Sequence, residues 1–204
     1  MKTLFNSVKN SSLVAIILLA SLFSINASAA TVSADLGASH TDIKKVVVTG
    51  NTNVLIIQNA NESVKVDELD LDKVSLTQVG GTLTINSSEN NPITVIVYVK
   101  DIYRIDASDK ANVKTAGKFT VKNLQVILKD EAKARVKATT ESLYTVIDGH
   151  AKLELIGTSD NHITKTTALA KIDTDRFAAL KTENLNSLAG ATISAAIKQT
   201  TLSK

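Results

Sequence analysis

Ala111-Asn112-Val113, Ala132-Lys133-Ala134, Ala151-Lys152-Leu153, Ala170-Lys171-Ile172 and Ala191-Thr192-Ile193 recur along the C-terminal half of the chain at spacings of 21, 19, 19 and 21 residues. A fixed period near 20, built of short β-branched pieces separated by Asp, Gly, Ser and Asn, predicts stacked β-coils rather than helical repeats. Two residues after each alanine stand Val113, Ala134, Leu153, Ile172 and Ile193, and eight residues before stand Tyr103, Leu124 and Leu143. These columns are expected to face inward. The alanine itself fits a tight corner, where a larger side chain would collide with its neighbours on adjacent coils. Asp109, Asp130 and Gly149 supply the turn just before it. The fourth coil is weaker, with His162, Thr164 and Thr166 where earlier coils carry apolar groups. Residues 168–199 hold enough alanine and leucine to raise a helical alternative, which their threonines and asparagines disfavour.

Upstream, short β-branched runs begin at Val46-Val47-Val48 and Val54-Leu55-Ile56-Ile57, with Thr49-Gly50-Asn51-Thr52 as the turn between them. Val64 and Val66, then Val74 and Leu76, suggest further strands. Val79-Gly80-Gly81-Thr82 before Leu83 and Ile85 reads as a hairpin whose glycines supply positive φ. Pro92 precedes the strongest strand, Ile93 to Val99, which is apolar at most positions of both faces. That pattern predicts a strand buried on both sides, joining the N-terminal section to the repeats.

The first 29 residues carry Lys2 and Lys9, the apolar run Leu13 to Phe23, and then Ala27-Ser28-Ala29. This is the pattern of a secretory signal peptide cleaved after about Ala29, and its apolar run is too short to span a membrane. Without those two lysines the formal charge falls from +3 to +1, so the basic excess expected of a nucleic-acid binder is missing. The chain has no cysteine, hence no disulfide framework and no thiol for a lipid anchor. The remaining 175 residues suffice for one self-supporting core.

Over roughly residues 41–195 the chain resembles the GIN domain family, the head domain of auto-transporter adhesins in exported proteins of Bacteroidetes and other bacteria. The resemblance lies in Ile43-Lys-Lys-Val-Val-Val-Thr-Gly50, Val79-Gly-Gly-Thr-Leu-Thr-Ile85, Ile93-Thr-Val-Ile-Val-Tyr-Val99 and Tyr103-Arg-Ile-Asp-Ala-Ser-Asp-Lys-Ala-Asn-Val113. It implies a right-handed parallel β-helix after a signal peptide, an adhesive or envelope role, and no enzymatic activity. Many members place Gly-Ser-Gly-Asp at the corner where this chain has Ala107-Ser-Asp-Lys110, Lys129-Asp-Glu131 and Asp148-Gly-His150, so this version is divergent.

The residues that follow the alanines, Asn112, Lys133, Lys152 and Lys171, are expected to stack on one face about 4.8 Å apart. Three ammonium groups in a row repel one another, and a regularly spaced polyanion relieves that repulsion. Two residues further on stand Lys114, Arg135, Glu154 and Asp173, whose acids are expected to neutralise the row internally and leave a solvated face. The same two carboxylates are the formal basis of a rival reading as a β-helix enzyme acting on acidic polysaccharide. His40, His150 and His162 lack ligand spacing, with His150 reading as an exposed turn residue. The acidic run Asp67 to Asp72 lacks the spacing of a calcium loop and reads as a strand with Leu69 and Leu71 inward and Asp70 and Asp72 outward. Of the five aromatics after residue 29, Tyr103, Phe119 and Phe177 are expected in the core, leaving little surface for sugar stacking.

The sequence therefore predicts an all-β protein: a right-handed parallel β-helix or solenoid with about 20 residues per coil, preceded by a β-rich N-terminal section. Its parts are a signal peptide (1–29), a leader (30–42), a GIN-like domain (43–197, with an entry section 43–100 and repeats 101–197) and a tail (198–204). The expected function is an exported, non-enzymatic module of the periplasm, cell surface or exterior. It uses no cofactor and no metal, and its candidate partner is an anionic glycan or an envelope protein. Lys133, Lys152, Lys171 and Arg135 are the candidate ligand-binding residues.

Overall fold

The computed structural model describes residues 31–33, 41–167 and 169–186. The signal peptide, His40, most of the leader, the repeat at Ala191 and the tail lie outside the described residues. Among the described residues there are thirteen strands: β1 (Thr31–Ser33), β2 (Lys45–Gly50), β3 (Thr52–Gln58), β4 (Ser63–Asp67), β5 (Ser75–Val79), β6 (Thr82–Ser87), β7 (Ile93–Val99), β8 (Arg104–Ala107), β9 (Asn112–Ala116), β10 (Thr120–Leu128), β11 (Lys133–Ile147), β12 (Lys152–Thr166) and β13 (Lys171–Asn184).

They form one sheet in the order β1-β4-β7-β3-β9-β11-β10-β8-β2-β6-β5, with β12 on β11 and β13 on β12. This corrects the expectation of a right-handed parallel β-helix. The sheet is a curled half-barrel of mixed strand direction, in which chain order is not spatial order. β2 and β3 lie between the later pair β6 and β7 on one side and β8 and β9 on the other. The antiparallel strands β1, β4 and β5 border that end. The junction between the N-terminal section and the repeats is therefore made by β2 and β3, and β7 lies one strand further out.

The curl is filled by one apolar cluster, running from Ile43, Val46 and Val48 through Ile56, Leu83, Ile85 and Ile105 to Leu124, Leu143, Leu153 and Leu155, all nearly or fully buried. Strand alternation places these side chains inward and their neighbours outward. β7 departs from its expected burial on both faces: Ile93, Val95, Val97 and Val99 are buried, Thr94 is exposed, and Ile96 and Tyr98 are half-buried. Because each strand of a curled sheet has a single core side, a second apolar face stays at the surface. There the Lys65 ammonium sits 5.4 Å from the Tyr98 ring centroid.

Among β9 to β13 the pairing is parallel. Lys133 pairs with Asn112, Lys152 with Lys133, and Lys171 with Lys152. Ala111, Ala132 and Ala151 are fully buried at a repeated turn, where the alanine N–H donates to the carbonyl three residues back, Ser108, Lys129 and Asp148 respectively. Asp109, Asp130 and Gly149 take positive φ at this corner, 57°, 57° and 67°. Aspartate tolerates that region better than most side chains, and glycine adopts it without steric cost.

Candidate functional site

Parallel register aligns Thr94, Asn53, Asn112, Lys133, Lys152 and Lys171 into one row across six strands. The first part of the row is neutral, and Asn112 donates its side-chain amide to Asn53 Oδ1 at 3.1 Å. The second part is three exposed lysines on consecutive strands. Residues directly opposite on neighbouring strands point the same way, so the three ammonium groups share one face.

The adjoining row is Leu55, Lys114, Arg135, Glu154 and Asp173. Its acids do not neutralise the lysines. Glu154 is engaged by Arg135, 3.5 Å away, and on its other oxygen by Arg176. Arg176 reaches it because the β12–β13 register shifts between Glu154 and Ile156, which places Arg176 opposite Ile156. Lys133, Lys152 and Lys171 have no ion-pair partner among the described residues. Of the four sequence-predicted site residues, the three lysines thus form a continuous row, while Arg135 stands beside it with its charge compensated.

Two grooves share the three lysines. One, of about 660 Å³, is completed by Asn51, Lys110, Glu131, His150 and Leu169. The other, of about 610 Å³, includes Asn112, Lys114, Arg135, Glu154, Ile172 and Asp173. The first carries four lysines against one glutamate and the second five cations against two acids, a formal +3 in each with His150 neutral. Together the two grooves carry six cations against three acids, in a chain whose net charge after residue 29 is +1. No aromatic residue lines either groove, so attraction there is electrostatic rather than stacking. Lys110 and His150 join the lysines only through the corner geometry, although their position one residue before the repeated alanine is legible in the alignment.

The paired carboxylates of the enzymatic reading, Glu154 and Asp173, are neighbours in register. Two arginines hold Glu154 as a structural ion-pair partner, the opposite of the proton-sharing environment that an acid catalyst needs. No cluster of three or more His, Asp or Glu side chains suited to a metal ion occurs among the described residues. The acidic run is corrected in detail. Glu68–Asp70 is a 3-10 turn in which Asp67 accepts from the Leu69 N–H at 3.0 Å and Asp70 pairs with Lys73 at 2.8 Å. Leu69 is 79 % exposed, because the turn leaves the sheet before alternation can carry it inward.

His150 is exposed at the corner, as expected of a turn residue. His162 is buried: its Nε2 lies 3.1 Å from Thr145 Oγ1 and its ring meets Phe177 edge-on at 5.3 Å between centroids. Burial pushes its pKa below the ordinary imidazole value. The spacing Leu124, Leu143, His162 places it in the inward column, which is the signal that identifies it. Tyr103 heads the same column but is 49 % exposed, since it precedes β8 and stands outside the curl. Phe119 is buried and Phe177 half-buried.

Residues 42–201 match the profile of the family described as "Putative auto-transporter adhesin, head GIN domain". Solved structures share the fold. A putative adhesin from Bacteroides fragilis aligns at 12 % identity with a TM-score of 0.63, over 76 % of this chain and 74 % of that one. A protein from Parabacteroides distasonis named a putative lipid binding protein aligns at 15 % identity and TM-score 0.55, over 76 % and 77 % of the two chains. A putative adhesin from the same species aligns equally well, over 76 % of each chain. No curated protein matches.

Proposed function

The chain belongs to the GIN-domain family, and from that premise we propose that it is an exported, non-enzymatic, adhesin-like module that binds an anionic polymer along the row Lys133, Lys152 and Lys171. The carrying observation is that the three stacked ammonium groups have no ion-pair partner among the described residues, while Glu154 of the adjoining row is held by arginines. A polymer bearing carboxylates or phosphates at regular intervals fits a row with an inter-strand repeat of about 4.8 Å. Arg135 borders this site and steadies Glu154. In this reading residues 1–29 direct export and are removed after about Ala29.

The test is binding of the mature protein to anionic and neutral glycans at low and high salt, beside a variant with Lys133, Lys152 and Lys171 all changed to glutamine. The expected result is retention of acidic glycans at low salt, loss near 1 M salt, where the screening length shrinks to about 3 Å, and loss in the variant. Binding that survives the triple change refutes the site. Vesicles with phosphate headgroups form a second arm, because a lipid surface offers the same anionic chemistry. Retention on vesicles but not on soluble glycans assigns the row to a membrane headgroup. If neither binds, a pull-down from envelope extracts tests the protein-partner alternative.

A further inference from the structure

Beyond Lys133 the row continues over three uncharged residues, Asn112, Asn53 and Thr94, on β9, β3 and β7. Thr94 is exposed and the two asparagines are half-buried. With Leu55 and Lys114 they line a third groove, of about 260 Å³. Asn112 and Lys114 also line one of the two grooves that hold the three lysines, so the charged and uncharged depressions adjoin. Asn112 donates to Asn53 Oδ1, and among the described residues this is the one hydrogen bond of either side chain. A primary amide carries two N–H donors and a carbonyl oxygen, so the pair keeps donors and an acceptor for a polar ligand. Leu55 and its register neighbour Ile96 are half-buried and give this end of the row an apolar wall.

We propose that Thr94, Asn53 and Asn112 form a hydroxyl-binding extension of the lysine row, and that the occupant of the whole row is an acidic glycan lying across the strands, one sugar unit to each. This rests on the polymer reading above and narrows it to a ligand class. Neighbouring strands lie about 4.8 Å apart, and an extended chain of pyranose units advances by nearly that distance per unit. Phosphates of an inorganic polyphosphate recur at a shorter step and the headgroups of a bilayer at a longer one, so neither stays in register over the row. Carboxylates of the glycan meet the ammonium groups of Lys133, Lys152 and Lys171. The two amides and the Thr94 hydroxyl match hydroxyl groups, which a sugar unit carries and a polyphosphate chain lacks. Lys110, in one of the lysine grooves, stands two residues before Asn112, and Lys114, in the other, stands two after it. Carboxylates on both edges of a ribbon-like glycan therefore find a cation.

Titration of the mature protein with fluorescently end-labelled oligogalacturonates of two, three, six and eight units tests it, beside inorganic polyphosphate of matched charge. The variants are Asn53→Leu combined with Asn112→Leu, which removes both partners of one hydrogen bond and so orphans neither, and Thr94→Val at an exposed position. The expected result is an affinity that rises with length up to six units and then levels, with the hexamer about tenfold tighter than the trimer. The double variant is expected to lose about that tenfold for the hexamer and nothing for the trimer or polyphosphate, and Thr94→Val to lose about threefold for the hexamer alone. Circular dichroism establishes that each variant is folded, and Thr94→Val carries the test should the double variant fail to fold. An affinity that levels at three units, or a hexamer indifferent to these changes, overturns the extension and leaves the lysine site in place. Binding of polyphosphate but of no oligogalacturonate overturns the glycan assignment while the polymer reading stands; binding of neither overturns both.

Discussion

Replacing Gly157 by alanine is expected to be among the most damaging single-methyl additions available in this protein. Ala138, Gly157 and Phe177 form one column across the bend of the sheet, where Ala138 pairs with Gly157 and Gly157 with Phe177. Gly157 has φ of 113°, a conformation that L side chains rarely adopt, and a Cβ there would sit 2.1 Å from the Ala138 carbonyl oxygen. Gly117 has φ of 74° and nothing within 4 Å of an added Cβ. The backbone strain alone costs about 1–2 kcal/mol at either position. At Gly157 the carbonyl contact must also be relieved by separating β11 from β12, whose backbones are tied by the ladder on either side. A total of about 3 kcal/mol or more is therefore expected for Gly157→Ala and about 1–2 kcal/mol for Gly117→Ala. For a domain of this size that corresponds to a loss in Tm of roughly 6–12 °C against roughly 2–8 °C. Urea unfolding followed by circular dichroism, with the m-value checked for constancy, measures both. Equal losses, or a smaller loss at Gly157, would refute the claim that close strand approach fixes that glycine.

Acid should loosen the β13 end first. The folded pKa of His162 lies below its unfolded value of 6.5 because of burial, so the unfolded chain takes up the proton first. The contribution of the neutral ring is complete above about pH 6.5 and is lost as pH falls below it, which amide exchange in β12 and β13 between pH 7 and 5 would report. His162→Leu, matching Leu143 in the column, should flatten that dependence. Ala132→Leu, at a fully buried corner, should cost about 1–3 kcal/mol by overpacking in thermal unfolding. Glu154→Gln should change stability by less than about 1 kcal/mol, because its arginine partners are about half exposed to solvent. It should strengthen salt-sensitive retention on acidic glycans by freeing Arg135, and weaker retention would contradict the assignment of charges.

The 19-residue period between Ala132, Ala151 and Ala170 determines by itself which residues of β11 and β12 lie side by side, and which of β12 and β13 do so as far as Glu154 and Asp173. In a strand whose alternate residues are buried, a one-residue slip would turn Leu153 and Leu155 out of the core, so pattern and register are the same information. That is why the row of lysines, the alanine corner and the inward position of His162 can all be read from spacing. Strand order cannot. β2 and β3 carry ordinary β-branched runs, and nothing in Val46-Val47-Val48 records that they enter between β6–β7 and β8–β9. Those pairings join residues about 40 to 60 positions apart, and they are chosen by the closing of one core rather than by any local preference. The same holds for the charge balance of the site. Sequence places Glu154 beside the lysine row; only the register shift in β13 brings Arg176 onto that carboxylate and leaves the three ammonium groups open.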